Sequence, residues 1–241
     1  MSRSEIIRLD KYLCDMGIGS RKEVKEYCRK GRVSVNGNIN TSSDTKVNIV
    51  NDIVLFDNKR IEFEKYEYFM LNKPMGVVSA TVDNTCKTVI ELIDSSKKKD
   101  LFPVGRLDKD TVGLLLITNN GELAHKLLSP DRHVPKTYYV KVQGELKQEH
   151  VNLCAEGIRL DKDFTTRPSV LNIISCGEVS EAELTICEGK YHQVKRMMSA
   201  MGCNVIYLKR ISMGTLVLDE HLQEGQYRKL TNNEIKALSQ L

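Results

Sequence analysis

Gly105 to Leu116 reads GRLDKDTVGLLL, and its pattern orients everything around it. One carboxylate, Asp108, stands between the apolar Leu107 and a turn at Lys109-Asp110. The chain then enters the aliphatic run Leu114-Leu115-Leu116-Ile117. A carboxylate fixed at the mouth of a packed strand is a candidate catalytic group, because the strand determines where it points. A lone Asp in this setting is more often a surface residue that precedes a core strand. Here the flanking pattern is long and specific, and it favours function. Asp110, in the same turn, reads as a solvated turn residue.

Working outward, short β-type runs alternate with helical ones from Tyr66 on. YFMLN, GVVSA, GLLLI, TYYVKV, SVLNII, EAELTI and NVIYLKR are expected strands. TVIELI, ELAHKLL, QEHVNLCAEG and HQVKRMMSAMG are expected helices. Many strands with few crossovers predict an α+β body on a mixed, mainly antiparallel β-sheet with flanking helices. Upstream, Leu9, Leu13 and Met16 share a helical face that ends at Gly17 and Gly19. Ser20 with Glu23 forms a capping box for a second helix that stops at Gly31, with Val24, Tyr27 and Cys28 inward. VSV-Asn36-Gly37-NIN predicts a hairpin with a type I′ turn, and Asp57-Asn58 a second short turn between strands. The domain boundary is expected near 60–66, giving residues 1–60 and 61–241.

The chain has 241 residues and 41% hydrophobic content, enough for one large or two smaller cores. Its longest aliphatic stretch is Leu114–Ile117, far below the roughly 20 apolar residues a membrane span needs. MSRSEIIRLDKY has no apolar core of a secretory signal, so a cytoplasmic protein is expected. Seven cysteines lack any C-x-x-C pair and the five histidines form no ligand cluster, so no metal is expected and the thiols read as reduced. The net charge is +4, and residues 3–32 carry nine Lys/Arg against five acids, the whole surplus. A small basic module beside a neutral body points to a polyanion reader, although a basic helix face is commonly just solvated.

The stretch RLDKYLCDMGIGSRKEVKEYCRKGRVSVNGNIN resembles the S4 RNA-binding domain over roughly residues 6–52. The resemblance implies that Arg8, Lys11, Ser20, Arg21, Lys22 and Arg32 lie near RNA phosphates. Each such contact lowers affinity with salt by roughly 0.7–0.9 on a log–log plot.

Three further segments accompany the Asp108 block. LNKPMGVVSAT (71–81) ends an apolar strand in a Lys-Pro turn, with Gly76 at a tight bend. KTYYV (136–140) puts Lys136 and Tyr138 on one face of a strand. EGKYHQVKRMM (188–198) runs from a glycine turn into a helix bearing Lys195 and Arg196. In this order they resemble the RsuA/RluB/RluE/RluF group of pseudouridine synthases, across essentially the whole chain. The resemblance implies the pseudouridine synthase fold behind an S4 domain, with Asp108 as catalytic aspartate and Tyr138 as the aromatic that stacks on uracil and is a candidate base for the C5 proton. It also implies that Lys195 pairs with the aspartate and that Arg106 occupies space left by the displaced base. Lys136 and Arg196 join Arg106 as candidates for holding RNA.

The implied reaction breaks the N1–C1′ bond of uridine, turns the uracil and rejoins it through C5. It is redox-neutral, so no cofactor is expected. It needs an ionised carboxylate near C1′, either as a covalent partner or to remove a sugar proton. A free Asp titrates near ~3.9 and burial raises that, an effect an adjacent Lys195 offsets. The base must also leave its helix, which costs a few kcal/mol. LLSPDRHVPKTY, TTRPSVLNII and GQYRKLTNNEI look closer to the branch acting on small-subunit (16S) rRNA than to the large-subunit (23S) branches. The expected partner is rRNA, free or in an assembling subunit, and the expected state is a monomer. A non-catalytic S4-type assembly factor is the main rival. A synthetase lacks its ATP motifs here, and Asp108 with Asp110 sit too close in sequence to flank a sugar bond as a glycosidase pair.

Overall fold

The computed structural model describes residues 5–241, so the first four positions of the expected 1–60 domain lie outside it. Two compact units result: one runs to Tyr66 and also includes Asp94–Asp100, and the other comprises Glu67–Ile93 and Leu101–Leu241.

In the smaller unit, β1 (Ile6–Arg8) leads into α1 (Leu9–Asp15), and α2 (Arg21–Arg29) follows after a tight corner. Ser20 caps α2: its Oγ accepts from the Glu23 backbone N–H, while the Glu23 carboxylate reaches back to Ser20 N at 2.8 Å. Both expected hairpins form. β2 (Val33–Val35) turns at Asn36 and Gly37 into β3 (Asn38–Ile39), and both turn residues have positive φ as a type I′ turn requires. β5 (Val54–Phe56) turns at Asp57 and Asn58 into β6 (Lys59–Ile61) in the same manner. β4 (Lys46–Asn48) pairs antiparallel with β1. Leu9, Leu13, Val24, Cys28, Val33, Val47 and Val54 are fully buried in the core these elements share, and Tyr27 packs at its edge. The returning segment Asp94–Asp100 belongs here through Ser96, whose Oγ donates to Asp15 O at 2.9 Å, and Lys97, whose ammonium bonds Glu64 O.

The larger unit is a mixed, mainly antiparallel α+β body. Its strands are β7 (Tyr68–Lys73), β8 (Phe102–Pro103), β9 (Val112–Thr118), β10 (Lys136–Gln143), β11 (Val170–Ser175), β12 (Val179–Ile186), β13 (Asn204–Met213), β14 (Leu216–Val217) and β15 (Tyr227–Lys229). The main sheet order is β11-β12-β10-β13-β9-β7-β15, with β13 and β9 the parallel neighbours. β9 is buried at every position, which accounts for its unbroken aliphatic run. Leu115 and Ile117 enter the core on one face, and Leu114 and Leu116 enter the core on the other. Full burial of each such side chain stabilises the fold by about 1.5–3 kcal/mol. The first core includes Val194, Met197 and Met198 of α5 (Gln193–Ala200) and Cys154 of α4 (Gln148–Glu156). The second includes Leu123 and Leu127 of α3 (Gly121–Leu128) and Leu238 of α6 (Asn232–Ser239).

Two local expectations fail. TVIELI makes only a 3-10 turn at Ile90–Leu92, because Ile93 is already extended and the chain departs for the smaller unit at Asp94. GVVSA makes a single bridge, Val78 to Thr88, rather than a strand. Its Ser79 is used instead to clamp the Asp108 loop.

Candidate active site

The turn after Leu107 is tied down from two sides. Ser79, buried, donates its Oγ hydrogen to Leu107 O at 2.9 Å and accepts from Leu107 N at 3.0 Å. The Thr111 N–H closes the turn on Asp108 O at 3.1 Å, and Gly76 N–H donates to Lys109 O at 2.8 Å. Beneath lies Lys73, fully buried at the end of β7. Its ammonium donates to Pro74 O, Lys109 O and Thr111 O at 3.1, 3.4 and 2.9 Å. Burial pushes the Lys73 pKa down to about 8, against the pull of Asp110 and Asp108. The backbone on either side of Asp108 is therefore fixed by contacts to the Lys-Pro segment across gaps of 28 to 38 residues.

The side chain of Asp108 is half-buried and meets the start of α5. Lys195 Nζ stands 3.2 Å from Asp108 Oδ2 and 2.6 Å from Asp110 Oδ1. His192 Nε2 stands 3.5 Å from Asp108 Oδ1. Burial alone lowers the Lys195 pKa, and its bonds to Asp110 and Asp108 more than reverse this, leaving it raised. The hydrogen bond from Lys195 holds Asp110 below the usual carboxylate range. Asp110 is thus a partner of the cation rather than the merely solvated residue expected, although its side chain remains 63% exposed. Arg106, Asp108, Tyr138, His192 and Lys195 line one cleft, with Gln193 and Leu208 among its other walls. Tyr138 is 7% exposed on β10, paired across the sheet with Arg210 of β13. The cleft measures about 70 Å³, narrower than the roughly 300 Å³ and upward of ordinary small-molecule sites.

Four of the expected larger-unit residues therefore converge, and two do not. Lys136 shares the inward face of β10 with Tyr138, but it lines a neighbouring cavity and donates to Val134 O at 2.8 Å. Arg196 points to Asp161, 2.8 Å away. The sequence reading missed His192, Lys73 and Ser79. His192 lies three positions before Lys195, a helical spacing that offered a signal. It takes a left-handed backbone (φ 49°) as the cap of α5, and its ring stacks on exposed Tyr191 at 3.8 Å between centroids.

In the smaller unit, Arg21 and Lys22 are exposed on the first turn of α2. Arg8 and Lys11 are exposed too but pair with Asp10 and Asp15 at 2.8 and 2.9 Å. Arg32 bonds Asp57 and lies over the rings of Tyr27 and Phe56 at 4.5 and 4.6 Å. Ser20 Oγ is committed to the α2 cap, donating to Glu23 Oε2 at 2.6 Å.

Residues 67–200 match the family model for RNA pseudouridylate synthase, more than half of the chain. The chain belongs to the RNA pseudouridylate synthase family. Residues 7–54 match the S4 domain, as the basic N-terminal motif implied. An uncharacterized RNA pseudouridine synthase of Bacillus subtilis is 42% identical over 238 residues, covering 97% of this chain and 99% of that one. Ribosomal small subunit pseudouridine synthase A of Escherichia coli is 38% identical over 234 residues, covering 96% and 100%. A crystal structure of a pseudouridylate synthase superposes with a TM-score of 0.68 at 37% identity, covering 96% of this family member and 99% of that chain.

Proposed function

We propose that this protein converts one uridine of small-subunit (16S) rRNA to pseudouridine, with Asp108 as the group that acts at C1′. The observation that carries this reading is a carboxylate whose flanking residues are clamped by Lys73 and Ser79, with an ammonium 3.2 Å from Oδ2 and an aromatic wall in the same cleft. Lys195 meets the carboxylate at 3.2 Å and fixes where it points, at the position either chemical route requires. Tyr138 offers the detached uracil a face to stack on and is the candidate base for the C5 proton, while Arg106 at the rim fills the gap the extruded base leaves. Residues 1–60 serve as the RNA-holding domain through Arg8, Lys11, Arg21, Lys22 and Arg32, and 61–241 as the catalytic domain. The protein works as a monomer in the cytoplasm. Small-subunit preference is supported by near-complete coverage of relatives named for that subunit.

The test is chemical mapping of pseudouridine in 16S and 23S rRNA transcripts incubated with the parent and with Asp108→Asn. A single 16S uridine is expected to convert with the parent and to slow by at least about 10²–10⁴-fold in the variant, at unchanged RNA affinity. Conversion in 23S alone moves the target to the other subunit. Equal rates for parent and variant remove Asp108 from its role.

A further inference from the structure

Beside the Asp108 cleft, and within the same unit, lies a larger cavity of about 390 Å³ that shares Gly189 and Lys190 with it. That volume is in the range of about 300–1,000 Å³ typical of small-ligand sites. Its wall carries Lys136, only 9% exposed, whose ammonium bonds a carbonyl rather than a carboxylate. Burial lowers the pKa of Lys136, and the charge of Arg210 lowers it further. Arg210 is itself 2% exposed, and its Nη2 has no hydrogen-bond partner. Arg210 does not line the cavity, so the buried cation of its wall is Lys136, whose charge an anion there would relieve.

The rim repeats the sign and adds a flat surface. Arg167 and Lys190 are exposed there, Phe164 is half-buried, and the Lys190 ammonium lies 5.8 Å from the Phe164 ring centre. Glu188 contributes the one carboxylate of the lining, and its Oε1 already accepts from Arg167 N at 2.9 Å and Gln193 Nε2 at 2.7 Å. Gln193 Oε1 in turn accepts from Lys190 N at 2.9 Å, so one buried amide fixes the wall between cavity and cleft. Cations around an aromatic face are what nucleotides bind: charge takes the phosphate and the ring takes the base.

We propose that this cavity receives the nucleotide next to the uridine that enters the Asp108 cleft, its base stacked on Phe164 and its phosphate met by Arg167 and Lys190. This rests on the proposed function and adds a contact that selects the RNA around the target. It also gives Lys136, a candidate for holding RNA, a place at the flanking nucleotide.

The test uses the full chain, in vitro transcribed 16S rRNA, and the variants Phe164→Ala, Arg167→Gln and Arg167→Lys. Each of the first two is expected to raise KM and RNA Kd about tenfold, with kcat at saturating RNA within about twofold of the parent, since uniform binding is what they remove. Arg167→Gln should lessen the salt slope of binding by roughly 0.7–0.9, the loss of one phosphate contact, and Arg167→Lys should regain it. Unchanged thermal unfolding separates these effects from misfolding. Parental KM, Kd and slope in both variants, with the parent still active, overturn the cavity and leave the proposed function standing. Loss of free uridine monophosphate binding without any change in RNA affinity makes the cavity a mononucleotide site and overturns the proposal as well. A parent that converts no uridine in any rRNA, while matching Asp108→Asn, fells both.

Discussion

Lys73 shows how a residue that touches no reacting atom can govern a site. Its ammonium satisfies three carbonyls, two of them in the turn that carries Asp108. Lys73→Met takes the ammonium donor from the buried Thr111 carbonyl, which costs about 1–3 kcal/mol, and loosens the turn. We expect kcat to fall with little change in RNA Kd, measured by steady-state turnover and direct binding. The pH dependence has a definite sign. With its folded pKa lowered from 10.5 to about 8, the unfolded chain holds the proton and the folded one releases it between those values. Stability from this group therefore rises with pH across about 8 to 10.5, and urea unfolding should show that rise in the parent and lose it in Lys73→Met. Asp108, Lys195, Tyr138 and Arg106 were legible in the sequence because each sits in a dense motif. Lys73 and Ser79 act across gaps of 38 and 28 residues through backbone carbonyls, and no local pattern encodes such contacts.

At the scale of the element, β9 explains why the Asp108 stretch announces the fold. The aliphatic run is a central strand buried on both faces, and its neighbour β13 runs parallel to it. Where the two strands pair, Gly113 faces Arg210 with φ +101°, and an added Cβ would lie 2.3 Å from Arg210 O and 2.8 Å from Arg210 N. Backbone cannot yield as a side-chain tip can. Gly113→Ala should cost at least about 1–3 kcal/mol, read as a drop in Tm of roughly 2–4 °C per kcal/mol. Strands with alternating or continuous apolar patterns and helices with caps were readable in advance. TVIELI was not, since its helical spacing is overruled by where the chain must go next, and GVVSA was not, since its backbone serves a loop.

At the scale of the molecule, charge is arranged so that acid weakens the larger unit. Arg228 binds Glu234 and Asp219 at 2.8 and 2.7 Å, joining β15, α6 and the loop after β14. The Arg228 hydrogen bonds pull the Glu234 pKa from 4.5 to about 2. That carboxylate contributes stability above its ordinary value and loses it as pH falls toward 2. Glu234→Gln should lower stability at pH 7 by about 1–3 kcal/mol and flatten acid unfolding between pH 4.5 and 2, as circular dichroism can follow. The detour of Asp94–Asp100 into the smaller unit has a consequence for biosynthesis. Though its first helix emerges early, that unit lacks Ser96 against Asp15 and Lys97 against Glu64 until translation has passed residue 100. At roughly 5–20 residues per second, the nascent N-terminal module waits about 2–7 s beyond Tyr66 before its last buttress arrives.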